Sequence, residues 1–254
     1  GDVFVLNDTY HGGTHLPDVT VITPVFLEGA VQPEFYVGSR GHHADIGGTT
    51  PGSMPPFSTT IQEEGVQINN FKLVSEGVLQ EQGMLDLLAS GQHPSRNPQQ
   101  NMADLRAQLA ANEKGVQELH KMVAEFGLDV VQAYMRHVQD NAEESVRRVI
   151  TRLKDGSFTL PLDNGAQIKV AVRVDAKNRS ADIDFTGTSA QQTNNFNAPR
   201  AVCMAAVLYV FRTLVDDDIP LNAGCLKPLK VIIPQGCMLN PNPPASVVAG
   251  NVET

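Results

Sequence analysis

Two clusters of imidazole and carboxylate side chains stand out in the first fifty residues. The first is Asn7-Asp8-Thr9-Tyr10-His11-Gly12-Gly13-Thr14-His15-Leu16-Pro17-Asp18, and the second is Arg40-Gly41-His42-His43-Ala44-Asp45-Ile46-Gly47-Gly48. An imidazole and a carboxylate three residues apart, as in His15 and Asp18, can turn to the same side where a loop meets a strand and converge on one divalent ion. The second cluster follows about 27 residues later, also at the end of a β-rich run. Clusters at the ends of neighbouring strands can face each other and complete a His/Asp/His site with positions left open for water. Such a site lowers the pKa of bound water and polarises a carbonyl, which is what amide hydrolysis requires. A single loop histidine is commonly just hydrogen-bonded to backbone, so the reading rests on the pair of clusters. His93, His120 and His137 fall in a polar loop and on helices, and read as structural or surface residues.

The elements that must position these clusters follow from periodicity. Short β-rich runs at Val3–Leu6, Val19–Phe26, Phe35–Val37 and Phe71–Val74, separated by Gly, Pro, Asn and Asp, make residues 1–75 a strand-rich segment with long loops. Met102, Leu105, Leu109, Val116, Leu119, Val123 and Phe126 recur at helical spacing, and Gly127 ends the run. Val131, Met135, Val138, Ala142, Val146, Val149 and Leu153 continue as a second stripe, so residues 98–154 are expected to form a long helical hairpin. Residues 157–254 return to strands, with a helix-like apolar run from Ala201 to Leu214. Strands segregated from long helices, without βαβ alternation, predict an α+β fold with mixed or antiparallel strands, in one partial domain over 1–254.

Composition narrows the function further. The net charge of -9, with no basic stretch, argues against nucleic acid as a partner. Cys203, Cys225 and Cys237 are odd in number and lack CxxC spacing, which suits small buried residues in a reducing cytoplasm. No apolar run approaches the roughly 20 residues of a membrane span, so a soluble cytoplasmic location is expected. The phosphate loop, GxGxxG, GxSxG and HExxH motifs are absent, and ATP is not expected to bind this chain alone. The start at Gly1, directly into a strand pattern, and the stop at Thr254 suggest an excised piece whose site draws residues from outside it.

The run from Asn7 to Thr20, the Arg40–Gly48 cluster and the Pro51-Gly52-Ser53 turn resemble the hydantoinase B and 5-oxoprolinase family. So do Asn101–Gly115, Asp184–Ser189, Ile219–Gly224 and Ala249-Gly250-Asn251. Ala133-Tyr134-Met135, Asn141-Ala142-Glu143 and the Lys72-Leu73-Val74 strand are most similar to the 5-oxoprolinase branch. The resemblance implies the middle of a B half, about twice this length, in an ATP-dependent amidohydrolase that opens cyclic amides. An A half with an actin-like ATPase fold binds ATP and Mg and phosphorylates the lactam, and an oligomeric assembly is expected. The resemblance to acetone carboxylase subunits implies a divalent metal (Mn, Zn or Fe) on His15, Asp18 and one of His42 and His43. His42 is favoured because the family tolerates an aromatic residue at the next position. Asp8, His43 and Asp45 are then expected to orient the ligands or relay protons. Thr9 departs from the family's usual proline, which removes no candidate ligand. With 5-oxoproline the product is glutamate. The alternatives are an N-methylhydantoinase, an acetone-carboxylase-like subunit, or a non-catalytic interaction fragment.

Overall fold

Alternation of apolar and polar residues builds a first sheet from Val3–Leu6 (β1), Asp18–Val25 (β2), Phe35–His42 (β3), Phe71–Ser75 (β4) and Val78–Leu79 (β5). The strands pair antiparallel in the order β3-β2-β1-β4-β5. This computed structural model describes residues 1–253. Successive residues of a strand point to opposite faces, so Val19 and Val21 are fully buried on one face of β2 while Asp18 and Thr20 lie on the other. On β3 the exposed positions are Tyr36, Gly38, Arg40 and His42.

Helices Glu81–Leu88 (α1) and Pro98–Phe126 (α2) cover the buried face of this sheet. Asn97 caps α2 by accepting a hydrogen bond from the Gln100 N–H, and Pro98 takes the first turn, where a missing N–H costs nothing. Met84, Leu88, Met102 and Leu105 fill the core beneath, each contributing roughly 1.5–3 kcal/mol by burial. A second, polar stripe on α2 reaches the sheet itself. Gln108 Nε2 donates to the Val19 and Ser39 carbonyls at 2.9 and 3.3 Å, and Asn112 Nδ2 donates to the Val21 carbonyl at 3.1 Å.

Helix Leu128–Ile150 (α3) follows α2 after the single residue Gly127. The two long helices meet at this turn, where Val131 of α3 packs with Val116, Leu119 and Val123 of α2. Farther along, α3 buries Ala142, Val146 and Ile150 in a separate core, under a second sheet. That sheet comprises Gly156–Pro161 (β6), Gln167–Asp175 (β7), Ser180–Asp184 (β8) and Leu229–Ile232 (β9), in that order. Its first three strands are antiparallel, but β8 and β9 are parallel. A parallel pair needs a long crossover, and helix Arg200–Thr213 (α4) lies in it, burying Val207 and Phe211 against α3. The α+β class with antiparallel and mixed sheets is therefore observed. Cys203, Cys225 and Cys237 are buried and unbridged. No helix among the described residues is long and apolar enough to cross a membrane.

The end of the chain, including helix Val248–Glu253 (α5), folds back on the first half. The Tyr10 hydroxyl donates to the Ala245 carbonyl at 2.5 Å, and the Ile61 N–H to the Pro244 carbonyl at 2.9 Å. Glu64 joins the two parts. Its Oε1 accepts from the Ser58 hydroxyl and from the Val247 and Val248 amides at 2.8, 2.9 and 3.0 Å, while Oε2 is buried without a partner.

Candidate metal centre

The loop between β1 and β2 is clamped at both ends by one side chain. Asn7 Nδ2 donates to the Leu16 and Val66 carbonyls, each at 2.9 Å, and its Oδ1 accepts from the Ile68 N–H at 2.6 Å. Gly13 is required in that loop, because a Cβ there would press on the Asn7 carbonyl and lie 2.6 Å from the Asp8 carbonyl oxygen. A turn follows in which the Asp18 N–H donates to the His15 carbonyl at 3.1 Å, so both side chains emerge on one side. The β2–β3 register sets Asp18 directly opposite His42.

Three side chains therefore meet where β2 begins and β3 ends. One donor atom from each of His15, Asp18 and His42 lies within 4.8 Å of the others. His42 Nδ1 is 2.9 Å from Asp18 Oδ1, and His15 Nδ1 is 3.2 Å from Asp18 Oδ2. The two rings are tilted at 36° with centroids 5.2 Å apart. Exposure rises across the group, from 11% for the His15 side chain to 23% for Asp18 and 58% for His42. The group is thus most open to solvent on the His42 side.

Two features of this geometry fit a cation. The buried His15 Nδ1 makes no hydrogen bond despite its short distance to Asp18, because the alignment is wrong. A buried orphan of this kind is costly unless something else satisfies it, and a positive ion between the imidazole and the carboxylate would do so. Burial, aided by the nearby His42 ring and Arg40 guanidinium and opposed by Asp18, holds the His15 pKa below the usual imidazole range. A neutral imidazole is the form that binds metal. Two imidazoles and one carboxylate suit zinc, manganese or iron, and a three-ligand set leaves positions free for water and substrate. Asp18 Oδ2 also accepts from the Thr14 hydroxyl at 3.1 Å, which helps to orient the carboxylate.

The other three site candidates form bonds elsewhere, and none of those bonds reaches His15, Asp18 or His42. Asp8 accepts from the Tyr10 N–H at 2.9 Å and pairs with His11 Nδ1 at 2.8 Å. Asp45 accepts from the backbone N–H groups of Gly47, Gly52 and Arg96 and from the Arg96 guanidinium. Burial alone would raise its pKa, but these donors outweigh burial and hold it below the usual carboxylate value. His43, one residue beyond His42, points to the opposite face and is buried. Its Nε2 donates to Gln108 Oε1 at 3.1 Å and its Nδ1 accepts from Asn101 Nδ2 at 3.0 Å. Both ring nitrogens are thereby committed to a neutral tautomer, and burial lowers its pKa in the same direction.

Asn101 and Gln108 support the site, and periodicity alone does not single them out. Their signal is an amide at helical spacing among Met102, Leu105 and Leu109, on a face that faces a sheet.

The chain matches the family model described as hydantoinase B/oxoprolinase over residues 1–254. It is 46% identical over its whole length to "5-oxoprolinase 1" of Arabidopsis thaliana and 43% identical to a "5-oxoprolinase" of Saccharomyces cerevisiae. The match covers 22% and 21% of those proteins, so the chain spans about a fifth of their length. It is 32% identical to a putative D-/L-hydantoinase chain of a Pseudomonas species, covering 98% of this chain and 44% of that protein. Among solved structures, an ATP-dependent caprolactamase from Pseudomonas jessenii superposes with a TM-score of 0.84 at 26% identity, over 98% of this chain and 43% of that one. A nucleotide-free acetone carboxylase gives 0.82 at 19% identity, over 98% and 35%, and shares the fold.

Proposed function

The chain belongs to the hydantoinase B/oxoprolinase family, and from that membership we propose that it is part of the B half of an ATP-dependent enzyme that opens 5-oxoproline to glutamate. The observation that carries the proposal is the convergence of His15, Asp18 and His42 around a buried, unsatisfied imidazole nitrogen. The higher identity to proteins named 5-oxoprolinase than to the hydantoinase relative favours a lactam over a hydantoin. The likeness to a caprolactamase supports the same reaction class.

In this reading His15, Asp18 and His42 hold one divalent ion. The ion supplies a Lewis acid for an amide carbonyl and a lowered pKa for water. His15 keeps a neutral nitrogen available because it is buried. Thr14 holds Asp18 by one oxygen, and the exposed His42 side admits the ring and water. Asp8, His43 and Asp45 act as positioning residues, fixing the two loops from behind. The A half, an actin-like ATPase that binds ATP and Mg, transfers phosphate to the lactam carbonyl oxygen. Water then adds at that carbon, the ring C–N bond breaks with the nitrogen leaving as the free amine, and a second water cleaves the resulting acyl phosphate to the carboxylate and phosphate.

Asp18→Ala in the full-length enzyme tests the assignment by elemental analysis. The expected result is loss of one divalent ion per chain together with lactam opening. An unchanged metal stoichiometry would rule out this ligand set, and a wild-type enzyme with no metal would favour a structural role for the clusters.

A further inference from the structure

The first 71 residues contain eight carboxylates and a single Lys or Arg, which is Arg40. That one permanent cation sits beside the candidate metal centre. Arg40 lies two residues before His42 on the same exposed face of β3, and the register sets it opposite Thr20, two pairs along the ladder from Asp18–His42. It is held in place by two bonds to neutral acceptors. Its Nε donates to the Thr20 hydroxyl at 2.9 Å, and one terminal nitrogen, Nη2, donates to the Gly12 carbonyl at 3.4 Å.

What Arg40 does not do is equally informative. It makes no ion pair with any carboxylate among the described residues, although ten other Lys and Arg side chains do. Its Nη1 makes no hydrogen bond to the protein. A guanidinium is a planar fork suited to two parallel bonds with a carboxylate or phosphate. Here the fork is anchored at its base, unneutralised and exposed on the solvent-facing face of the sheet.

We infer that Arg40 forms an oxyanion subsite beside the His15, Asp18 and His42 group, orienting a negatively charged part of the substrate at the metal. The inference rests on the metal-site reading above and adds a substrate class to it: the ring must carry an anionic group, either its own carboxylate or the phosphoryl group it acquires. The Thr20 and Gly12 bonds fix the distance between the subsite and the metal ligands. Anion binding there therefore sets which carbonyl of a ring reaches the metal.

The test compares the wild-type full-length enzyme with Arg40→Gln and Arg40→Lys. The probes are 5-oxoproline, pyrrolidinone (the same ring without the carboxylate) as substrate or competitor, and inorganic phosphate as inhibitor. Both variants are expected to keep the wild-type metal content. Arg40→Gln should lose about tenfold or more in the KM for 5-oxoproline or in kcat, with partial rescue in Arg40→Lys. A carboxylate ligand raises the KM for 5-oxoproline and leaves pyrrolidinone untouched. A phosphoryl ligand lowers kcat for both rings together and weakens phosphate inhibition. Unchanged KM, kcat and phosphate inhibition in Arg40→Gln would overturn the inference, as would loss of metal in both variants, which would make Arg40 a structural tether. A wild-type enzyme that turns over neither ring rejects the proposed function itself. The subsite is then judged by phosphate binding to the metal-loaded protein, which must be weakened by about tenfold in Arg40→Gln.

Discussion

Glu64 ties residues 58–64 to the segment that enters α5, and it does so as a buried carboxyl. Burial dominates its ionisation and pushes its pKa from 4.5 to about 7, against the pull of the Ser58 hydroxyl and the Val247 and Val248 amides. Three donors already converge on Oε1, which leaves Oε2 to carry the proton. The folded pKa lies above the unfolded one, so this stabilisation is complete below pH 4.5 and is lost as pH rises through about 7. At about 1.4 kcal/mol for each unit by which the two pKa values differ, the loss is on the order of 3 kcal/mol. The perturbation is Glu64→Gln, which removes the titration and keeps the shape. The assay is hydrogen exchange of the Val247 and Val248 amides between pH 5 and 8, corrected for intrinsic exchange. Wild-type protein should show an opening free energy that falls with pH, and the glutamine variant a flat one. The new amide group at the Oε2 position shifts the whole curve but not its slope. Equal slopes in the two proteins, or a wild-type value that rises with pH, would rule out a protonated Glu64 carboxyl as the source of the pH dependence.

Two further perturbations probe the supports of the site. Gly13→Ala forces a Cβ onto the Asn7 and Asp8 carbonyls, and an overpacked position typically costs about 1–3 kcal/mol. The loop carrying His15 must move, so metal content should fall although all three proposed ligands remain; full metal content would contradict the role given to Gly13. Gln108→Met leaves the buried His43 Nε2–H without an acceptor, at a cost of about 1–3 kcal/mol in denaturant unfolding. An unchanged midpoint would mean that His43 finds another acceptor.

Strand positions were readable because one buried face imposes alternation, and the starts of β1, β3 and β4 fall where that pattern begins. β6 carries no such signal, since all six of its residues are exposed and no alternation survives. Periodicity located both long helices but could not say what they face. A stripe reports that a surface is buried, and only the fold decides that α2 meets the first sheet and α3 the second. In the site, the two clusters pointed to a convergence at strand ends. The choice of His42 over His43 came from family resemblance, and strand geometry supplies the physical reason. Consecutive strand residues point to opposite faces, so only one of the two can look towards Asp18. The supporting network was illegible because an amide on an apolar helix face looks like noise until its carbonyl partners are known.

That network changes how the site can vary. Helices packed on sheets through aliphatic contacts can slide or rotate by an ångström and re-form similar contacts. Amide side chains that bond individual strand carbonyls act as a key, because Gln108 fits Val19 and Ser39 and Asn112 fits Val21 in one alignment only. The spacing between β2 and β3, and hence the gap between Asp18 and His42, is indexed to α2. An inserted or deleted residue in the first half of α2 would therefore put the two strand ends out of step.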